Sequence, residues 1–121
     1  MMLGHVRDNF PRLTLTLPGQ ETLLNVEFLL DTGFDGELAL PGHLIVHLIA
    51  EYAMHEFIRM ADGTQSSRPV YEILMDWGGE SRVTNVLSLD GGVPLLGVEL
   101  LAEHSVYIEM TDGGDVSIDP L

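Results

Sequence analysis

The chain has 121 residues, enough for one domain and too few for two of ordinary size. Nineteen Asp and Glu stand against five Arg and no Lys, a formal charge of −14 that makes phosphate backbones and anionic membrane surfaces poor partners. At 45% hydrophobic residues it is too apolar for a disordered acidic tail, and without Cys it has no disulfide, no thiolate metal site and no cysteine nucleophile. No basic-then-apolar leader opens the sequence and no apolar run reaches the length of a membrane span, so a soluble cytoplasmic protein is the expectation.

In chain order, Leu13-Thr14-Leu15-Thr16-Leu17 alternates with period two, turns at Pro18-Gly19-Gln20-Glu21 and resumes from Leu23 to Leu30, which predicts a hairpin. The second strand ends in Leu29-Leu30 and delivers Asp31 into the Gly-rich turn Asp31-Thr32-Gly33-Phe34-Asp35-Gly36. Pro41 suits a first helical turn, and Leu44, Ile45, Leu48 and Ile49 then predict a helix from about Gly42 to Met54. A second hairpin is expected from Glu56–Met60 and Gln65–Pro69 around Ala61-Asp62-Gly63-Thr64, because Asp-Gly suits a tight turn. A strand from Val70 to Asp76 turns at Trp77-Gly78-Gly79-Glu80 and returns through Arg82 to Leu89. Val93 to Gly97 leads into a helical turn at Val98–Glu103, and Ser105–Thr111 pairs with Val116–Ile118 around Asp112-Gly113-Gly114-Asp115. The result is a mainly β single domain over 1–121 with one or two short helices.

A faint internal repeat runs through this order. Strand, Gly turn, strand, two Leu, Gly and helix occur from Leu13 to His47 and again from Tyr71 to His104. The first apolar pair is followed by Asp31-Thr32-Gly33 and the second, Leu95-Leu96, directly by Gly97, so one half alone carries the carboxylate.

Asp31 is the residue with chemistry to offer. Hydrolysis of a peptide bond at moderate pH needs one carboxylate to take a proton from water and a second carboxyl to donate one. Two carboxyls held close share a proton and titrate as a pair. An apolar strand end limits the solvation of Asp31, Thr32 offers a hydroxyl for orientation, and Gly33 lets backbone N–H groups approach. The second carboxyl must come from elsewhere. A lone Asp-Thr-Gly is by itself a plain turn, arising by chance in about one chain of this length in forty.

With Leu29-Leu30-Asp31-Thr32-Gly33 and the later Pro94-Leu95-Leu96-Gly97-Val98-Glu99-Leu100-Leu101, the chain resembles the retropepsin-like (clan AA) aspartic peptidases. It is most similar to the prokaryotic subgroup whose motif continues as Asp31-Thr32-Gly33-Phe34. There the likeness extends over Pro11-Arg12-Leu13, Leu40-Pro41, Ala61-Asp62-Gly63 and the end, Gly113 to Leu121. The resemblance implies an acid-protease barrel lobe that works as a homodimer, with Asp31 of each chain at the two-fold axis and the termini contributing strands to the subunit contact. It further implies Asp31 as the catalytic aspartate, Thr32 and Gly33 as the turn that orients it, and Phe34 and Asp35 in substrate binding. Ala61, Asp62 and Gly63 would form the flap hairpin. Many viral members carry Arg where this chain has Val98, a flap tip richer in Gly, and a smaller residue than Phe34.

The expected activity is therefore an aspartic endopeptidase acting on peptide or protein substrate, with no metal or organic cofactor and an acidic to near-neutral optimum. The alternative is a catalytically silent homodimer of the same fold that binds a peptide or partner protein. A third reading takes His43, His47, Glu51 and His55, spaced by four, as a metal-binding stripe on a helix; a solvated helix face explains the same spacing. Asp112-Gly113-Gly114-Asp115 lacks the oxygen series of a calcium loop and reads as a turn, and Trp77 as a hairpin packing residue.

Overall fold

Ten β-strands and two four-residue helices make up the described residues of the computed structural model, 1–59 and 62–121. The first run comprises β1 (Met2–Arg7), β2 (Phe10–Leu17), β3 (Leu24–Leu30), β4 (Leu38–Pro41) and α1 (Gly42–Ile45). The second comprises β5 (Glu51–Arg59), β6 (Gln65–Trp77), β7 (Glu80–Leu89), β8 (Leu95–Leu96) and α2 (Val98–Leu101); β9 (His104–Ile108) and β10 (Asp115–Pro120) close the chain. All ten strands share one sheet of order β5-β6-β7-β4-β8-β3-β2-β1-β10-β9, open at β5 and β9.

Alternation builds the core as the sequence predicts. Leu13, Leu15 and Leu17 of β2 are buried while Thr14 and Thr16 between them are exposed, and Ile73, Met75 and Trp77 of β6 alternate with exposed Glu72, Leu74 and Asp76. These side chains join Phe28, Leu96, Leu100, Val116 and Ile118 in one cluster, so the sheet curls until β2 and β6 lie against each other. Fully burying one such side chain contributes about 1.5–3 kcal/mol relative to leaving it in water. Tight hairpins set the register: Asp8 and Asn9 have positive φ between Arg7 and its partner Phe10, and Gly78 and Gly79 do the same between Trp77 and Glu80.

The repeat is real at the level of topology, though not in the alignment that the sequence favours. From either end of the eight-strand segment the roles run alike: β5, β6, β7, β4 on one side and β1, β2, β3, β8 on the other, meeting at the antiparallel pair β4–β8. Each half lends a strand to the other, because β4 pairs in parallel with β7 and β8 pairs in parallel with β3. Leu29-Leu30 and Leu95-Leu96, equated in the sequence repeat, are thus ladder neighbours rather than equivalents. The pairs Leu38–Leu96 and Ala39–Leu95 make Leu30–Leu96 the counterpart of Leu87–Ala39. After that position the first half places Asp31 and the second Ser88.

Two local expectations are corrected. The helix predicted from Gly42 to Met54 stops after one turn, because the backbone that follows is captured by the β2–β3 turn: Gln20 N–H donates to His47 O and Ile49 N–H to Pro18 O, each at 2.9 Å. Glu51 onward is strand β5. The segments Gln65–Pro69 and Val70–Asp76 are one strand, and Pro69 is tolerated inside it because pairing with β7 begins only at Val70. Within the chain, β1 pairs with β2 and β10, and β10 with β1 and β9. Among the described residues no helix is long and apolar enough to cross a membrane.

Candidate functional site

Asp31 stands where the two halves interlock. Its N–H donates to Leu96 O at 2.9 Å, extending the β3–β8 ladder one residue beyond Leu30. The chain then turns sharply: Phe34 N–H donates to Asp31 O at 3.1 Å, and Gly33 N–H donates to Asp31 Oδ1 at 2.9 Å. Gly33 fits because an added Cβ would stand 3.2 Å from that same oxygen. The carboxylate is thus held by a backbone N–H, while Thr32 is exposed and makes no hydrogen bond to it among the described residues. Asp31 is half-buried between the buried Leu30 and Leu96 of the ladder.

The loop from Asp31 to Glu37 rests on the segment that opens α2. Gly97, Val98 and Glu99 donate their N–H groups to the carbonyls of Glu37, Phe34 and Gly36 at 2.8, 3.0 and 3.1 Å. Such an approach excludes a side chain at Gly97, where a Cβ would lie 2.3 Å from Gly36 O. This is the physical use of the apolar-apolar-Gly motif. Val98 takes part through its backbone, and its apolar side chain leaves Asp35 without a guanidinium from that position.

Glu37 fixes the far end of the loop and was not singled out in the sequence. Buried to 9% residual exposure, it accepts Asn85 N–H on Oε1 at 2.9 Å and pairs with Arg82 through Oε2. Arg82 lies 45 residues away in sequence. The one available signal was an acidic residue abutting Leu38-Ala39-Leu40, a run too apolar to leave such a group unpaired.

A cleft of about 610 Å³ opens between this loop and β5. Gly33, Phe34 and Asp35 line it on the loop side, with Met54 and Glu56 to Arg59 opposite. Asp31 and Thr32 are not part of this lining, and neither are Asp62 and Gly63 of the expected flap. Asp62 and Gly63 lie at the turn between β5 and β6, where Asp62 Oδ1 accepts Thr64 N–H at 3.0 Å and Thr64 Oγ1–H at 2.7 Å. The Thr64 hydroxyl first, and then its N–H, hold the Asp62 carboxyl below the usual carboxylate range. Gly63 has φ +88°, the turn conformation its missing Cβ allows. Ala61, also assigned to the flap, lies outside the described residues.

The metal-binding stripe does not form. His43 is in α1, His47 in the turn after it, and Glu51 and His55 on β5, so no helix aligns them. Among the described residues no three His, Asp or Glu side chains converge as a metal site. Fold and loop together define a mainly β chain of two interlocked halves with one carboxylate at their crossing. Comparison of the sequence with protein-family models and with curated proteins returns no match.

Proposed function

We propose that the chain is a retropepsin-like aspartic endopeptidase that works as a homodimer, Asp31 of each protomer facing the other across the two-fold axis. The observation that carries this reading is the setting of Asp31: a carboxylate at the end of a buried ladder, fixed by Gly33 N–H, at a strand crossing whose equivalent in the other half carries Ser88. One chain holds one such carboxylate, and a second copy completes the pair. In the proposed reaction the ionised Asp31 takes a proton from water as the water oxygen bonds to the scissile carbonyl carbon. The protonated Asp31 of the other protomer gives its proton to the carbonyl oxygen. Proton transfer to the amide nitrogen then lets the C–N bond break, the carbonyl re-forms, and the pair returns to its starting state.

Asp31→Asn tests the chemistry. Loss of peptide cleavage with the solution mass of a dimer retained supports it, and cleavage that survives the substitution overturns it. A monomer mass for an active wild-type chain overturns the dimer.

The second reading, a silent homodimer that binds peptide, is favoured by one observation. The cleft is lined by Phe34 and Asp35 but not by Asp31 or Thr32, which separates the binding surface from the carboxylate within one chain. Peptide binding without hydrolysis across the acidic to neutral range selects this reading over the first.

A further inference from the structure

We propose that the cleft between the Asp31 loop and β5 takes an extended basic peptide, seated along the free edge of β5 with a Lys or Arg side chain among Asp35, Glu56 and Glu99. The inference rests on the peptide-binding part of the functional reading and is independent of whether Asp31 cleaves.

Three observations lead to it. First, β5 is an edge strand: β6 pairs with one side of it and no described strand pairs with the other. Second, the cleft is lined by four consecutive β5 residues, Glu56 to Arg59. Val70 of β6 and Asn85 and Leu87 of β7 border it too, so the cleft lies over the face of β5–β7; because successive strand residues point to opposite faces, its contact with all four β5 residues carries it round to that strand's free edge. An extended segment can occupy such a space as an added strand, its main chain meeting the unpaired N–H and C=O groups. Phe57 at 75% exposure and Met54 at 52% supply apolar surface for its side chains.

Third, the charge of the lining selects the occupant. Four carboxylates, those of Asp35, Glu37, Glu56 and Glu99, border the cleft against the one guanidinium of Arg59. Glu37 is already taken by Arg82 and Asn85 N–H, whereas Asp35, Glu56 and Glu99 have no ion-pair partner among the described residues. A chain of net charge −14 adds a long-range field of the same sign. A basic peptide is complementary to this surface. A second copy of the chain, with the same charge, brings repulsion to the same edge.

The test uses Asp31→Asn protein, so that binding is read without turnover. Fluorescence anisotropy follows two labelled peptides of alternating Ser and Val, one with paired central Arg and one with Gln in their place. The Arg peptide is expected to bind about tenfold more tightly, from ion pairs of ordinary surface strength, with an advantage that shrinks as salt is added. Glu56→Gln with Glu99→Gln is expected to remove most of that preference while leaving the thermal midpoint unchanged. Equal affinity for the two peptides, or a preference that survives both substitutions, overturns the proposal. So does self-association through β5 that the Arg peptide fails to displace. Binding of the Arg peptide by a wild-type chain that never cleaves it sinks the catalytic reading alone, and cleavage with no basic preference sinks this one alone.

Discussion

Gly97 packs against Phe34 with no room for a side chain between them: a Cβ on Gly97 would stand 2.7 Å from Cδ2 of the ring and 2.7 Å from the Phe34 carbonyl oxygen. Because Gly36 O would be closer still, at 2.3 Å, the backbone itself must move to admit a methyl group. Gly97→Ala is therefore expected to cost about 3 kcal/mol, the upper range for overpacking, and to displace the Asp31 loop. Gly91 is the control, since a Cβ there meets nothing within 4 Å, and Gly91→Ala should change stability by no more than about 0.5 kcal/mol. Urea unfolding of both variants decides; equal stabilities would mean that the contact is not tight.

Glu37 gives a graded prediction. Glu37→Ala leaves Asn85 N–H and Arg82 without their partner at a nearly buried position, which should cost about 2 kcal/mol. Arg82 is itself 38% exposed and can turn to water, which keeps the loss below that of a fully buried pair. Glu37→Gln retains an acceptor for Asn85 N–H and should lose less. If the two variants unfold at the same urea concentration, the backbone hydrogen bond contributes nothing.

Glu27 predicts a pH dependence. Its carboxylate receives Arg7 Nη1 at 3.0 Å and Arg12 Nη1 at 3.3 Å, and the Arg7 hydrogen bond foremost holds its pKa below the ordinary glutamate value. A carboxyl depressed in the folded state binds protons less readily there than when unfolded, so its stabilisation is complete above the ordinary value of about 4.3 and is lost as pH falls through the folded value. Its partial exposure keeps the contribution small. Glu27→Gln is expected to cost about 0.5–1 kcal/mol at neutral pH and to converge with wild type in acid. A gap of constant size from neutral to acid pH would contradict the assignment.

Thr84 offers a stabilising change. Its side chain is fully buried on β7, and its Oγ1 finds no hydrogen-bond partner among the described residues. Thr84→Val keeps the shape and removes the desolvated hydroxyl, which should raise stability by about 1 kcal/mol in chemical unfolding. A loss of stability would mean that the hydroxyl is satisfied in solution.

The legible part of the fold is the part buried on one face. β2, β3 and the paired stretch of β6 and β7 alternate because each separates core from water, and a period of two then shows in the residues themselves. The strand from Glu56 and its hairpin with Gln65–Pro69 are legible from the Asp-Gly turn, but the start of β5, Glu51 to Met54, reads as helix for the converse reason: all residues of β5 but Ile58 are exposed, so no alternation marks it, and Leu44, Ile45, Leu48 and Ile49 before it carry a helical spacing. At the site, Asp31 at the end of an apolar strand was visible, as were Gly33 and the Leu95-Leu96-Gly97 motif. The tie between Glu37 and Arg82 was not, because it joins residues that only the folded sheet brings together.

Sequence by itself determined that this is a mainly β chain, strongly acidic and free of cysteine, with one carboxylate placed at a strand end. These properties follow from composition, side-chain period and turn chemistry, all local. Only the tertiary structure decided that β4 and β8 cross into each other's halves, that Gly97 carries the Asp31 loop on its backbone, and that β5 presents an unpaired edge to an acidic cleft. Each depends on hydrogen bonds between segments far apart in the chain, and which strands meet is chosen by burial of the whole core rather than by any one stretch of residues.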